Sequence, residues 1–424
     1  MQQLQNLHII RTGALYWIQL SFAIQNIVEI IMMPPQQSEE YLLKDKFGHF
    51  LFKQGRFFGN DFICSMQGIM WHQFIAERYS YFMDFWYSIS MRIISHGIPL
   101  FIMSTISYAL GYIKSDFFFK QITFNSQWFL NEQACYELLG LNSQMCVIAL
   151  AIYYFCQKFQ LKVFKVFLIA GIASFIIRSL IICYYYSRQI LHDYDLRYMT
   201  DMNTLTQFYH FSFGFAFGDV FNKYKVEPKM LYNLQIQNKI SFKITKEVAS
   251  SLRFLLYSLL ILCAFVDSLI QLDAESKQIS TRSLLIVRLL SKPIYAILLW
   301  ILIISQELQC DHTKEIKPKK QCKRGQFLVP GYTQQHFSVL AAQPFAALIR
   351  LSVGQTVIGP YHPKIFIMIT IGVLVFQHFL GQICMVMFNW FMQDIYGAAA
   401  DYFDSRKRKR ISQLIKESIY NGAE

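Results

Sequence analysis

The residues of this chain that could do chemistry are polar side chains placed inside or beside long apolar runs. In QWFLNEQACYELL, Trp128, Glu132 and Tyr136 recur every four residues and therefore share one face of a helix. A carboxylate between two aromatic rings is a candidate site residue, and a helix-capping or interface-anchoring role is the alternative. In LIRLSVGQTVIGPY, Arg350 and Ser352 lie inside another apolar run. Charges at membrane depth are costly, so such residues usually face other helices or a cavity.

Two cysteines and two histidines form a candidate metal site. In CDHTKEIKPKKQC, Cys310 and Cys322 flank His312, and His336 follows at a distance. Thiolate and imidazole are the ligands that zinc takes in proteins. The spacing matches no common zinc module, however, so the sequence predicts no metal site. The nine cysteines are odd in number and most lie in or beside apolar runs, which argues against a disulfide framework.

The elements that must position these residues are membrane helices. Of the 424 residues, 54% are hydrophobic and only 16% are charged, whereas a soluble chain carries about a quarter charged residues. Apolar runs of about 20 residues, each long enough to cross a bilayer core, recur along the chain. The sequence therefore predicts an all-α, polytopic membrane protein with about ten transmembrane helices in one bundle. The ten runs are 14–33, 57–76, 91–113, 137–156, 164–186, 205–222, 251–272, 284–305, 336–358 and 365–392.

Three of these runs are interrupted by polar side chains and are the weakest as spans. They are the runs at 57–76, 205–222 and 336–358. The interrupting residues are Asn60, Asp61, His210, Asp219, Gln343 and Arg350.

Loop charge predicts how the bundle is oriented. With ten spans and both termini on one side, that side carries 23 Lys and Arg residues against 11 on the other. Positive charge marks the cytosolic or matrix side, so we expect both termini there, with the loops 223–250 and 306–335. Residues 1–392 form the predicted bundle and 393–424 a basic C-terminal tail. The SRKRKR run in that tail is expected to be a solvated juxtamembrane stop, so the net charge of +13 does not indicate a nucleic-acid partner.

Two glycines suggest where two helices pack closely. In TQFYHFSFGFAFG, Gly214 and Gly218 lie one helical turn apart. Small residues at this spacing allow a neighbouring helix to approach its backbone. We therefore predict that both glycines serve helix packing.

The order of several loose motifs resembles the acyltransferase-3 family of membrane acyltransferases, in its nose-resistant-to-fluoxetine branch. The resembling stretches are RTGA, RFFGNDFICSMQGIM, MRIISHGIP, QWFLNEQACY, TQFYHFSFGFAFG, KPIYAILLWILIISQELQC and LIRLSVGQTVIGP, and together they span nearly the whole chain. The resemblance implies one pocket inside the bundle, which holds a lipid headgroup or acyl chain. The pocket residues that it implies are Arg11, Arg92, Trp128, Glu132, Tyr136, Thr206, Arg350 and Ser352.

The chain departs from the family pattern at the positions taken to be catalytic. The family has a His eleven residues after the first-helix Arg, and here that position is Phe22. Phenylalanine cannot accept a proton, and a general base usually supplies about 10²–10⁴-fold in rate. In the last motif, Val353 and Thr356 replace two tyrosines and Gly359 replaces a His. Other histidines could take over as base, but helix packing is the favoured role for His72, His96 and His378.

Two classes of function follow from this resemblance. The favoured one is a catalytically inactive, lipid-binding structural or accessory subunit of a larger membrane complex. The alternative is an active membrane O-acyltransferase that moves an acyl group from acyl-CoA to a lipid or other hydroxyl. No cofactor is expected, with acyl-CoA needed only for an active enzyme. Transport is a weaker option, because the charged residues form no ion relay that the sequence reveals.

Composition bears on where such a subunit would work. The chain is rich in Ile, Phe, Tyr, Gln and Lys, with 39 Phe and 25 Tyr. This bias is typical of AT-rich protist genomes, whose mitochondrial complexes are thought to recruit extra membrane subunits. We expect membrane lipids and other protein subunits as partners. The expected location is the mitochondrial inner membrane, as part of a respiratory complex, or the endoplasmic reticulum.

Overall fold

The structure is a computed structural model, and every regular element in the part of the chain that it describes is a helix. The described residues are 5–27, 46–78, 97–98, 100–111, 114–123, 137–189, 194–201, 203–226, 246–275, 280–307, 367–383, 386–387 and 390. The all-α prediction is therefore confirmed for these residues. The loop 306–335 lies almost entirely outside them, and the run 336–358 and the tail 393–424 lie wholly outside them.

The helices follow one another with short connections in the middle of the chain. In chain order they are α1 (Gln5–Asn26), α2 (Gln54–Arg78), α3 (Leu100–Ala109), α4 (Ser115–Ile122), α5 (Glu137–Lys158), α6 (Val163–Ser187), α7 (Tyr194–Asp201), α8 (Thr204–Val226), α9 (Lys246–Glu275), α10 (Thr281–Glu307) and α11 (Ile367–Ile383). A short helical turn and a π-helical turn, His49–Lys53, lead directly into α2.

Three of the described helices are long and apolar enough to cross a membrane. They are Val163–Ser187, Ser251–Asp273 and Thr281–Ile303, which lie in α6, α9 and α10. Shorter apolar helical segments occur at Gly13–Ile24, Leu100–Ala109 and Ile367–Ile383. These findings support a membrane protein. The ten-span bundle and the side on which its termini lie remain predictions.

Helix α8 lies at the centre of the described bundle, between α2 and α6, and it also contacts α5 and α7. Its backbone approaches that of α2 closely. A Cβ built at Gly68 of α2 would overlap the carbonyl oxygen of Phe211, and one built at Gly214 would overlap the carbonyl oxygen of Ser65. A Cβ at Gly218 would collide with the side chain of His72. The contact between α2 and α8 therefore depends on glycine on both helices.

Local sequence explains where several helices begin and end. The side chain of Asn203 accepts a hydrogen bond from the backbone of Leu205 at the start of α8, and Ser280 does the same for Ser283 at the start of α10. These are N-cap contacts, which satisfy donors that the first turn leaves unpaired. A glutamine with positive φ lies two residues after the last residue of each of α5 and α6, Gln160 and Gln189 respectively, in the left-handed conformation that commonly terminates helices.

The long apolar helices present one face to the bundle and one to the surroundings. In α6, the buried side chains recur every three or four residues, and the opposite face exposes large apolar side chains. Exposed apolar faces on helices of this length are typical of contact with lipid chains. The exposed apolar residues of α6 include Ile169, Ile172, Ile176 and Leu180.

Candidate functional site: a buried charged cluster

The centre of the bundle contains an ion pair between α2 and α10. Nζ of Lys292 lies 2.5 Å from Oδ2 of Asp61, and both side chains are fully buried. The ammonium group also lies 4.0 Å from the centre of the Phe58 ring. A cation over an aromatic face is stabilised by the ring's quadrupole. Pro293 follows Lys292 inside α10, and because proline has no N–H, it interrupts the helical hydrogen bonding next to this lysine.

A histidine of α8 completes the arrangement around Asp61. Nε2 of His210 lies 3.5 Å from Oδ1 of Asp61, and both side chains are inaccessible to solvent. Within the described part of the chain, neither ring nitrogen of His210 makes a hydrogen bond. The ring of Tyr209 lies against the imidazole, with 4.0 Å between ring centres, and its buried hydroxyl also makes no hydrogen bond there. Three helices thus bring a carboxylate, an ammonium group and an imidazole together.

A second ion pair lies nearby, between α6 and the short helix α7. Nη2 of Arg178 donates a hydrogen bond to Oδ1 of Asp201 at 3.3 Å, and both side chains are buried. Arg178 and Asp201 are close enough to Asp61 to interact with it electrostatically. With His210 neutral, the charges of these five side chains sum to zero. A neutral total is the arrangement expected of charged groups kept out of water.

The start of α8, where His210 lies, is held by hydrogen bonds to three other helices. The hydroxyl of Ser174 in α6 donates to the carbonyl of Leu205 at 2.5 Å and accepts from the backbone N–H of Tyr209 at 3.0 Å. Thr204 donates to the side chain of Gln144 at 2.7 Å. Thr206 donates to the carbonyl of Met199 at 2.9 Å. These contacts fix the rotation of α8 and therefore direct His210 towards Asp61.

The two helices α2 and α8 carry a second histidine–aspartate pair. Nε2 of His72 lies 3.5 Å from Oδ1 of Asp219. Here α2 supplies the histidine and α8 the aspartate, the reverse of Asp61 and His210. Residue numbers rise together along the contact, so the helices run parallel. The two pairs are separated by about 16 Å along the helix axis, and the close glycine contact lies between them.

Of the pocket and helix-packing residues predicted from the sequence, four lie in the described part of the chain, and so does Phe22 at the expected base position. Arg11 is buried and donates a hydrogen bond to Sδ of Met70 at 3.3 Å. Thr206 lies one turn before His210, which meets α2 at Asp61. Thr206 contacts α7 through the carbonyl of Met199. The shared pocket of these residues remains a prediction. Gly214 and Gly218 lie in the contact with α2, as given above.

Phe22 lies in a small apolar cluster. Its side chain is 2% exposed and packs with Leu15, Ile18 and Ile63. The other pocket residues implied by the family resemblance lie outside the described residues. They are Arg92, Trp128, Glu132, Tyr136, Arg350 and Ser352, and the candidate metal ligands Cys310 and Cys322 lie outside them as well. The described residues contain no group of three or more His, Cys, Asp or Glu side chains that could hold a metal ion.

Sequence reasoning noticed Asp61 and His210 only as interruptions of apolar runs, and it missed Lys292, Arg178 and Asp201. A signal for Lys292 existed, because a lysine inside an apolar run of this length calls for a buried partner. The sequence does not reveal which acid that partner is, since the answer depends on how distant helices pack.

Comparison with known proteins gives no match: no family model, no curated protein and no solved structure matches this chain.

Proposed function

We propose that the chain is a catalytically inactive, acyltransferase-3-like membrane protein that serves as a lipid-binding structural subunit of a larger membrane complex. The observation that carries this proposal is the environment of Phe22, the residue at the family's catalytic histidine position. Phe22 packs in a hydrophobic cluster with Leu15, Ile18 and Ile63. No side chain in that cluster can accept a proton, so a hydroxyl acceptor would not be activated there.

The outer faces of the described helices support the lipid-binding part of this proposal. Large apolar side chains are exposed along α6, α10 and α11, including Ile169, Ile297 and Met368. The charged side chains of the central cluster, by contrast, pair with one another. A bundle with an apolar exterior and an internally paired interior is suited to contact with lipid chains and with other membrane helices.

The proposal includes the ten-span topology with both termini on the positive side, and a place in the mitochondrial inner membrane of a protist or in the endoplasmic reticulum. Partners are membrane lipids and the other subunits of the complex. Native purification of the tagged, full-length protein in mild detergent tests this directly. We expect it to migrate with other membrane proteins in a particle much larger than its own 49.9 kDa and to transfer no label from acyl-CoA to lipid. A free monomer that turns over acyl-CoA would refute the proposal.

The second candidate function is an active membrane O-acyltransferase with a displaced base, and the Asp61–His210 pair favours it. A histidine oriented by a carboxylate is the usual general base for activating a hydroxyl. His210 and Asp61 lie on different helices with 3.5 Å between Nε2 and Oδ1, and a hydrogen bond between them would need a slightly closer approach. In this enzyme the hydroxyl would lose its proton to His210 while its oxygen attacks the thioester carbon of acyl-CoA. The C–S bond would then break, and coenzyme A would leave as the thiol with the proton that His210 returns.

Two matched variants separate these candidates. His210→Gln and His72→Gln each remove one buried imidazole that lies near an aspartate. Both are compared with the unmodified protein for transfer of labelled acyl-CoA to membrane lipid, with thermal unfolding as a check on folding. An active enzyme with His210 as base loses transfer in His210→Gln and keeps it in His72→Gln. The inactive scaffold gives no transfer above a heat-killed control in any of the three proteins.

A further inference from the structure

Several buried polar atoms beside the Asp61–Lys292 pair make no hydrogen bond within the described part of the chain. They are Oδ1 of Asp61, both ring nitrogens of His210 and the hydroxyl of Tyr209. Leaving a buried polar atom unpaired is unfavourable, because its hydrogen bonds to water are lost without replacement. Here four such atoms belong to three neighbouring side chains. Clustered polar atoms of this kind are where proteins hold internal water, so the cluster has the chemistry of a small hydrated site.

The charges around His210 indicate what such a site would bind. Lys292 neutralises Asp61 through Oδ2, which leaves Oδ1 facing Nε2 of His210 at 3.5 Å. Arg178 and Asp201 neutralise each other. His210 is therefore the one basic side chain of the cluster that no acid already neutralises, and the nearest acceptor to its Nε2 is a carboxylate oxygen.

We propose that His210 and Asp61 form a proton-binding site at membrane depth. A proton leaves bulk water and adds to the lone pair of Nε2, where the N–H so formed points at Oδ1 of Asp61. Lys292 keeps hold of Oδ2, and water hydrates Nδ1 and the Tyr209 hydroxyl. The charge of the cluster changes from zero to plus one. Release of the proton to water reverses the step, and no other bond forms or breaks.

Every helix packed around the site contributes a charged or titratable group that faces it. Asp61 and His210 interact most directly with Lys292, and Arg178 and Asp201 act from further away. Four further titratable side chains lie near the site, and each is uncharged in its protonated form. They are Cys64 of α2, Tyr209 of α8, Cys263 of α9 and Tyr295 of α10.

This proposal does not depend on the function proposed above, because a structural subunit and an enzyme can each contain such a site. Its test is a pH titration of the full-length protein in phosphatidylcholine nanodiscs, without acyl-CoA. The protein carries ¹⁵N-labelled histidine, and NMR follows the ring nitrogens, with the His210 signal assigned by its loss in His210→Gln. We expect that signal to change reversibly between the neutral and the protonated form while the protein stays folded.

Two variants with opposite expected effects make the assignment to this cluster specific. Asp61→Asn removes the negative charge beside Nε2 and should lower the proton affinity of His210 at least about tenfold, whereas Lys292→Met removes a positive charge and should raise it. Asp267→Asn, which changes a buried aspartate bonded to Gln271, is the matched control and should leave the titration unchanged. General loosening of the structure would shift all three variants in the same direction.

Two outcomes overturn the proposal. One is a wild-type His210 signal that stays unchanged over the whole pH range in which the protein remains folded. The other is a titration that Asp61→Asn and Lys292→Met leave in place or move in the same direction. If Asp61→Asn or Lys292→Met fails to fold, the wild-type titration still decides the question, and Asp61→Glu, which keeps the carboxylate, should retain it.

Discussion

Lys292 and Asp61 are separated by 231 positions in the chain, and their charged atoms lie 2.5 Å apart in the middle of the bundle. This contact joins α10 to α2 at a place that water does not reach. A buried ion pair adds little net stability compared with apolar residues of the same size, but removal of one partner leaves an uncompensated charge. The core should therefore tolerate the loss of both charges better than the loss of one.

The first prediction concerns this pair. Lys292→Met leaves Asp61 buried without its ammonium partner and should destabilise the fold by about 3–5 kcal/mol. The double variant Asp61→Leu/Lys292→Met removes both charges and should recover most of that loss. Thermal unfolding in detergent measures both. Lys165→Met changes an exposed lysine of α6 and should leave the transition nearly unchanged. A double variant no more stable than the single one would contradict the prediction.

The second prediction concerns the glycine contact between α2 and α8. Gly214→Ala adds a methyl group that overlaps the carbonyl of Ser65, and Gly68→Ala one that overlaps the carbonyl of Phe211. Since backbone atoms cannot move aside easily, each should cost about 1–3 kcal/mol or more. Gly372→Ala is the control, because a Cβ there meets nothing within 4 Å. Alanine favours helix by about 1 kcal/mol over glycine, so that variant should be neutral or stabilising in the same unfolding assay.

The third prediction concerns Phe22. Phe22→Ala should cost about 3–5 kcal/mol, because it leaves a cavity among Leu15, Ile18 and Ile63. Tyr16→Ala on the same helix removes a side chain that is 38% exposed and should cost clearly less.

Phe22→His tests the chemical side of the same prediction. It restores the residue type expected at the family's base position, but it places an imidazole among the apolar side chains of Leu15, Ile18 and Ile63. We expect a loss of stability of about 1–3 kcal/mol and no transfer of label from acyl-CoA. Transfer by this variant alone would show that Phe22 is the single defect in an otherwise competent site.

The fourth prediction concerns topology. Helix α6 has 25 residues and is about 37 Å long, which is long enough to place its two ends on opposite sides of a bilayer. A cysteine at Lys162, just before α6, should react with a membrane-impermeant thiol reagent from the positive side, and one at Arg188 from the other side. A cysteine at Ser280, before α10, should behave like Arg188. Equal labelling at Lys162 and Arg188 from one side would remove the alternation on which the ten-span topology rests.

Some of this architecture is readable in the sequence because its cause is local. The hydropathy of 164–186 predicts α6 almost to the residue, since a run of apolar side chains must be shielded from water wherever the rest of the chain lies. Asn203 and Ser280 begin their helices through contacts within three residues of themselves. The spacing of Gly214 and Gly218 indicates a close contact on α8, although it does not identify α2 as the neighbour.

Only part of the candidate site could be predicted from the sequence. Asp61 and His210 stand out as polar residues in apolar runs, but the sequence does not identify which residue either of them contacts. The residues suggested by the family resemblance behave differently from one another. Arg11 contacts Met70 of α2 and Thr206 contacts Met199 of α7, and the remaining ones lie outside the described residues. The shared pocket therefore stays a prediction, and the resemblance did not include the charged cluster.

By itself, the sequence determined that this is a helical membrane protein whose long apolar segments contain a few polar residues. Hydropathy and helix propensity act over a few turns, so they need no knowledge of the fold. Only the tertiary structure decided that Lys292 meets Asp61, that His210 faces the same carboxylate, and that Phe22 lies among apolar side chains. These contacts join residues from distant parts of the chain, because helix packing is set by the shapes of whole surfaces such as the glycine contact between α2 and α8.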